Sequence, residues 1–451
     1  MASNSLLGVV PMIEEDTVEA TVQRLAYGGE GVTHVDGLVV FVPWTVPGER
    51  VRATVVERHP RYARARLDAV LEPSAARIGP RCPVFGSCGG CQLQHLTVAA
   101  QREAKAQAVV DAMERIGGQQ GLGGLVCEPA ANGWGYRKRA VVSWQWTGDE
   151  LHFGYHHANE PGRIISIGGC PIVADQIDVQ LTRLRGALEL ALRNGAVAFD
   201  SGILEGRLAL RCLPSGQVQA GLFVDQSHPA RHLARAFSDN ADIETTWGRW
   251  RTESSLTLAT DAPRLTSRFQ YRGLDLRIGF DSFIQADLSG AERLYDAVIE
   301  AVGPVTGKRV IDAYAGVGVV ACQLAAAGAR VTAIEAQSGT ASDLRANAYS
   351  NVATGSVHVL ELPADRMQWG RPRPEIVVLN PPRGGCPRRV LSGISDSPAR
   401  RLVYVACDPA TLARDVHRLS TGWQLESLRA FDLFPQTAHV ETVAVLSRPN
   451  R

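Results

Sequence analysis

Residues 401–415 read RLVYVACDPATLARD, and how this run is read decides the fold. Arg401 to Ala406 is apolar, rich in β-formers and bounded, which predicts a buried strand of an α/β sheet. A helix follows at once, with Asp408 suited to its cap and Pro409 to its first turn. Cys407 then sits beside the positive end of a helix dipole, a position expected to lower a thiol pKa and favour the thiolate. The competing reading is a cysteine that merely fills apolar space.

Working outward, the chain from about Ser282 repeats strand, turn and helix. RVIDAY, ARVTAIE, SVHVLE, EIVVLN, RLVYVAC, WQLESLRAF and TVAVLSR are strand candidates, and the last two follow one another without a helix between them. This predicts an open, mainly parallel α/β sheet closed by a hairpin, as in class I (Rossmann-like) methyltransferases. The first of these strands runs into Tyr314, Gly316 and Gly318, and the second ends on Glu335. Glycines let backbone approach a ligand, and an acid at the next strand end can accept both ribose hydroxyls, which fits S-adenosylmethionine or a nucleotide. The fourth ends in Asn380-Pro381-Pro382-Arg383, similar to the N-P-P motif of methyltransferases that act on bases.

The preceding half is built differently. Residues 16–70 are short β-rich segments between Gly and Pro turns, the pattern of a small barrel with Arg61, Arg64 and Arg66 on a cationic face. Tyr27, Phe41, Trp44 and Tyr62 are candidates to stack nucleic-acid bases or to fill its core. LAYGGEGV, DGLVVFVP and PGE resemble the TRAM domain, an OB-like RNA-binding barrel. Cys82, Cys88 and Cys91 follow in a loop rich in Gly and Pro, a spacing that points to metal ligands, with Cys170 as fourth thiol. Four thiolates can hold zinc or a [4Fe-4S] cluster, and spacing does not choose. A helix is expected over 92–116, and short strands dominate 132–278, where Tyr136, Arg137, Lys138 and Arg139 form a basic knot.

Composition narrows the classes further. Lys+Arg 47 against Asp+Glu 46 gives a net charge of +1 over 451 residues, so any RNA site must be a local patch. Nine unevenly clustered cysteines argue against a secreted disulfide framework. There is no signal-peptide pattern, and no apolar run approaches the roughly 18 residues of a membrane span, so a soluble, cytoplasmic protein is expected, with residues 1–15 as a flexible leader.

Together these motifs resemble the bacterial RNA uracil-5 methyltransferases that modify 23S ribosomal RNA and the tRNA T-loop, over nearly the whole chain. The resemblance implies a monomer that methylates structured RNA, most simply 23S rRNA, with S-adenosylmethionine as donor. It makes Cys407 the nucleophile and Glu441 the base, with His439 as a supporting contact. Gln285 in FIQAD, Tyr314, Gly316, Gly318, Glu335 and Asn380 would hold the donor. It also favours a [4Fe-4S] cluster on Cys82, Cys88, Cys91 and Cys170. The implied domains are a TRAM barrel at 12–72, a central β-rich iron–sulfur unit at 73–91 and 126–278, and a methyltransferase unit at 92–125 and 279–451. Asp287, Val319 and Asp408 depart from the family's usual residues. Rival readings are an amino-group (N6-adenine-type) methyltransferase, which would place an aromatic where Arg383 stands, and a non-catalytic RNA-binding factor.

Overall fold

The structure, a computed structural model, describes residues 16–129, 133–195, 203–224, 231–235, 243–252, 255–371 and 373–449. The leader assigned to residues 1–15 lies outside them. Strands β1 (Thr17–Thr21), β2 (Arg24–Leu25), β3 (Gly31–Val35), β4 (Leu38–Val42), β5 (Arg50–Arg58) and β6 (Tyr62–Glu72) form one sheet in the order β1-β5-β6-β4-β3-β2. In β6 alternate residues turn inward, so Ala63 and Ala65 enter a small core with Val40, Val42, Ala53 and Val55 while Arg64 and Arg66 face solvent.

Helix α1 spans Val98–Arg115, with Thr97 Oγ1 accepting from the Ala100 amide as its N-cap. It starts later than the expected residue 92 because Gln92 and Leu93 are held in a loop, both donating their amides to Gln436 O at 3.1 and 2.9 Å. Strand β7 (Cys127–Glu128) follows, and then β8 (Arg139–Trp146), β9 (Leu151–His156) and β10 (Ile164–Ser166). Helix α2 (Asp175–Arg193) covers the sheet that these last three form with β11 (Leu204–Cys212), β12 (Val218–Val224), β13 (Glu244–Thr252) and β14 (Ser255–Leu258). Its core gathers Val142, Trp144, Phe153, Ile177, Leu184, Leu208 and Leu222. The hairpin of β15 (Thr266–Tyr271) and β16 (Leu274–Gly279) packs elsewhere, sharing a core with Ala291, Tyr295, Val319 and Cys322 of the α/β half.

That half contains α3 (Leu288–Val302), β17 (Arg309–Ala313), α4 (Val319–Ala326), β18 (Arg330–Glu335), α5 (Ser338–Asn351), β19 (Val357–Glu361), β20 (Ile376–Leu379), α6 (Arg388–Asp396), β21 (Arg401–Ala406), α7 (Pro409–Leu419), β22 (Gln424–Phe431) and β23 (Glu441–Ser447). The sheet order is β19-β18-β17-β20-β21-β23-β22-β7. The five strands from β19 to β21 are parallel, and β23 runs antiparallel between β21 and β22. Layers of helix cover both faces, so central strands such as β20 and β21 are continuous buried runs. All seven strands expected from the sequence of this half are present, including the closing hairpin. The first turns after β17, β18, β20 and β21 fall at one edge, where open α/β sheets bind ligands.

Candidate active site

Cys407 lies where the sequence placed it, between β21 and α7, and Asp408 Oδ1 accepts the Thr411 amide at 2.8 Å as the helix cap. The antiparallel ladder pairs Ala406 with Thr442, so the next step sets Cys407 across from Glu441. Nucleophile and base candidates thus come from adjacent strands at one edge. The Cys407 thiol, however, is not lowered: burial first and then the facing Glu441 carboxylate push it up to about 11, with Arg383 opposing. The dipole argument fails because burial outweighs it, and the Asp408 side chain that caps the helix adds to the rise.

Glu441 is 3% exposed. Burial raises its carboxyl to about 7, against the lowering effects of a hydrogen bond from Gln285 and of Arg383. Arg383, directly after the two prolines, is the cation common to this edge, and its Nη2 donates to His439 Nε2 at 2.6 Å. Burial and Arg383 hold His439 down to about 4, so its imidazole is neutral at pH 7. Sequence reading used Arg383 only as a missing aromatic; its position after a strand-end proline turn was the available signal. Tyr27 arrives from the barrel: its phenol is raised by burial and by Asp408, with Cys407 and Arg383 within electrostatic reach.

Five donor-site candidates, Tyr314, Gly316, Gly318, Glu335 and Asn380, gather at the tips of β17, β18 and β20, whereas Gln285 precedes α3 and hydrogen-bonds Glu441. Tyr314, Gly316 and Asn380 line one cleft with Phe283, Tyr295 and Asp312. Tyr314, Gly316 and Gly318 all have positive φ, 62°, 57° and 89°. At Gly318 a Cβ would meet Leu344 Cδ1 at 2.2 Å, so the turn needs glycine twice over. Glu335 Oε2 accepts the Gly316 amide at 3.0 Å, which fixes the acid against the glycine turn. Asp312, which the sequence reading did not single out, is raised to about 7 by burial. Its Oδ2 and Gln285 Oε1 are buried acceptors without a partner, an arrangement suited to a ligand that brings donors. The departures have structural explanations: Asp287 caps α3, its Oδ1 accepting the Ser289 amide at 3.2 Å; Asp408 caps α7; and Val319 is buried in the hairpin core.

The loop before the base is anchored from afar. Gln436 adopts a left-handed φ of 72°, its amide donates to Gln101 Oε1 at 2.8 Å, and Tyr136 donates to Pro435 O at 3.0 Å. Lys105 and Asp432 form an ion pair, each side chain only 1% exposed, and Lys105 Nζ also donates to Phe434 O at 2.9 Å. Replacing Lys105 with Met strands a buried carboxylate. Chemical denaturation is expected to register a loss of about 3–5 kcal/mol.

The four candidate cluster thiols are neighbours. Burial raises Cys88, Cys91 and Cys170, Cys91 to about 12, and the other thiols of the set add to each rise. Among the described residues, however, no group of three or more His, Cys, Asp or Glu side chains is arranged to hold a metal ion. Cys127, Cys212 and Cys322, which lie in or beside apolar runs of the sequence, are buried. On the barrel, Arg64 pairs with Glu30 and Arg66 with Asp68, so two of the three proposed RNA-facing cations are already engaged. Among the described residues no helix is long and apolar enough to cross a membrane.

Residues 14–67 match the TRAM domain family, and residues 373–449, which hold Arg383, Cys407 and Glu441, match the tRNA (Uracil-5-)-methyltransferase family. The chain is 31% identical over 459 residues to the 23S rRNA (uracil(1939)-C(5))-methyltransferase RlmD of Halomonas elongata, covering 96% of this chain and 90% of that one. It is 30% identical over 444 residues to an uncharacterized RNA methyltransferase of Thermosynechococcus vestitus, covering 96% and 98%. The crystal structure of Pyrococcus abyssi tRNA (uracil-54, C5)-methyltransferase with S-adenosyl-L-homocysteine superimposes with a TM-score of 0.72 at 24% identity, over 95% of this chain and 100% of that one, a likeness of fold. Matched along nearly the full length of such relatives, with thiol and carboxylate facing each other beside a glycine-lined cleft, the chain belongs to the TRAM-bearing tRNA and rRNA uracil-5-methyltransferase family and is an S-adenosylmethionine-dependent RNA (uracil-5-)-methyltransferase.

Proposed function

We propose that the protein methylates C5 of a uridine in 23S rRNA through a covalent bond between Cys407 and uracil C6. The observation that supports this most is the adjacency of Cys407 and Glu441 across the β21–β23 ladder. Uracil C5 is too weak a nucleophile to take a methyl group unaided. The Cys407 thiol first gives up its proton to water, and attack of the resulting thiolate at C6 moves the C5–C6 π electrons toward the C4 oxygen, making C5 enolate-like. S-adenosylmethionine, held by Gln285, Tyr314, Gly316, Gly318, Glu335 and Asn380, supplies an electrophilic methyl group. Glu441 then takes the C5 proton, the C5–C6 double bond re-forms, and the C6–S bond breaks to release Cys407. Arg383 offsets the charges of both groups. A uracil that is stacked or paired cannot reach Cys407, so the target is a flipped uridine in a structured loop.

Cys82, Cys88, Cys91 and Cys170 are the ligands we assign to a [4Fe-4S] cluster in a monomeric, cytoplasmic enzyme. What supports the assignment is that the thiols lie close enough to raise one another electrostatically, and four such thiolates would supply the ligand set of a cluster. Anaerobically purified protein is expected to contain about four iron and four sulfide per chain, and Cys88→Ser to lose most of both. Iron-free, zinc-loaded protein would refute the cluster.

The function itself is tested by mass spectrometry of rRNA and tRNA nucleosides from a strain lacking the gene, alone or complemented with wild type or Cys407→Ala. Loss of a 5-methyluridine from 23S rRNA, restored by wild type only, is the expected result. Loss from tRNA instead moves the substrate to the T-loop, and no change in any methyluridine removes the uracil assignment.

A further inference from the structure

A second cleft lies apart from the donor site, with a volume of about 700 Å³, walled by Arg81, Trp134, Lys138, Cys170, Asp175 and Asp178 among others. That volume is in the range of small-molecule sites. Trp134 is only partly buried, and the Arg81 guanidinium lies over its ring, 5.4 Å from the centroid, so the indole face already receives a flat group. Two cations border the cleft on the side of Lys138 and Arg81, and two carboxylates on the side of α2. Asp178 Oδ1 is engaged by the Cys170 amide at 2.7 Å; Asp175 is exposed.

The same wall is tied to the active edge. Gly133 O accepts from Gln436 Nε2 at 3.3 Å, the Tyr136 hydroxyl donates to Pro435 O, and the Lys138 amide donates to Ala286 O at 2.7 Å, beside Gln285. Whatever occupies the cleft is therefore held in a fixed relation to both catalytic segments.

We infer that this cleft receives a second unstacked nucleotide of the substrate RNA, near the target uridine, with its base taking the place of the Arg81 guanidinium on Trp134. Arg81 and Lys138 meet the phosphate, while the carboxylates repel phosphate and accept from base amino groups, which favours adenine or cytosine over uracil. The inference rests on RNA being the substrate and not on which carbon of the uridine is methylated.

Two measurements test it. Ultraviolet crosslinking of full-length protein to a 23S rRNA transcript, followed by peptide mass spectrometry, is expected to place a nucleotide adduct within residues 133–138; adducts confined to the barrel would overturn the inference. In fluorescence anisotropy with labelled oligoadenylate, Trp134→Ala is expected to weaken binding about tenfold and Trp134→Phe, which keeps a stacking face, by much less. S-adenosylmethionine affinity should be unchanged in both. Arg81→Glu changes an exposed side chain with little risk to folding, and is expected to weaken the same binding about tenfold. Wild-type affinity in Arg81→Glu, or an equal loss in Trp134→Phe and Trp134→Ala, would also overturn it.

Discussion

Cys407→Ala is expected to abolish methyl transfer, a fall of at least about a thousandfold, while leaving the fold and S-adenosylmethionine binding intact. The side chain is half-buried at a strand tip and is not part of the donor cleft, so its loss removes little packing. What it removes is the group we propose adds to C6, without which C5 remains too weak a nucleophile to take the methyl group. Denaturing gels of enzyme incubated with a substrate carrying 5-fluorouridine check the point, because fluorine cannot leave C5 as a proton does. Wild type should give a stable protein–RNA band and Cys407→Ala none. A band in the alanine variant would transfer the nucleophile's role elsewhere.

The second large effect concerns Glu441. Glu441→Gln keeps shape and hydrogen-bonding capacity but cannot accept the C5 proton, so turnover is expected to fall by about a hundredfold to ten-thousandfold with methylated adduct accumulating. The same change removes the facing negative charge that raises Cys407, so alkylation of Cys407 by iodoacetamide at pH 8 should speed up. A stability signature accompanies it. The carboxyl rises on folding from 4.5 to about 7, so its burial costs nothing below about 4.5 and an increasing amount as pH climbs through 7. Relative to wild type, Glu441→Gln should gain up to roughly 3 kcal/mol between pH 4 and pH 8. A pH-independent difference would mean that Glu441 is not buried as an unpaired acid.

The strands of the α/β half were legible because buried parallel strands are continuous β-branched runs, unmistakable in RVIDA, IVVL and RLVYVA. The cap at Asp408 was equally plain, since Asp followed by Pro encodes a helix start locally. What stayed hidden is non-local. The upward shift of Cys407 comes first from burial and then from Glu441, 34 residues on in sequence and adjacent only through the ladder. Arg383 and Tyr27 reach the same edge from other segments; the proline turn before Arg383 hints at its place, whereas nothing around Tyr27 announces its approach to Cys407. The helix expected from residue 92 was delayed because tertiary hydrogen bonds from Gln92 and Leu93 outweigh helix propensity.

The short strand β7 pairs Cys127 with Ala430 and Glu128 with Phe431, and α1 shares the core of α7 through Val109, Met113, Leu412 and Val416. The nascent chain therefore emits α1 and β7 early and must keep them until the last strands leave the ribosome. Ordering that loop costs little more than a shorter one, since closure entropy grows only logarithmically with length, but it makes this part of the protein a late-assembling, high-contact-order element. Until then the face of α1 that packs against α7 stays exposed, an apolar surface open to wrong association during synthesis.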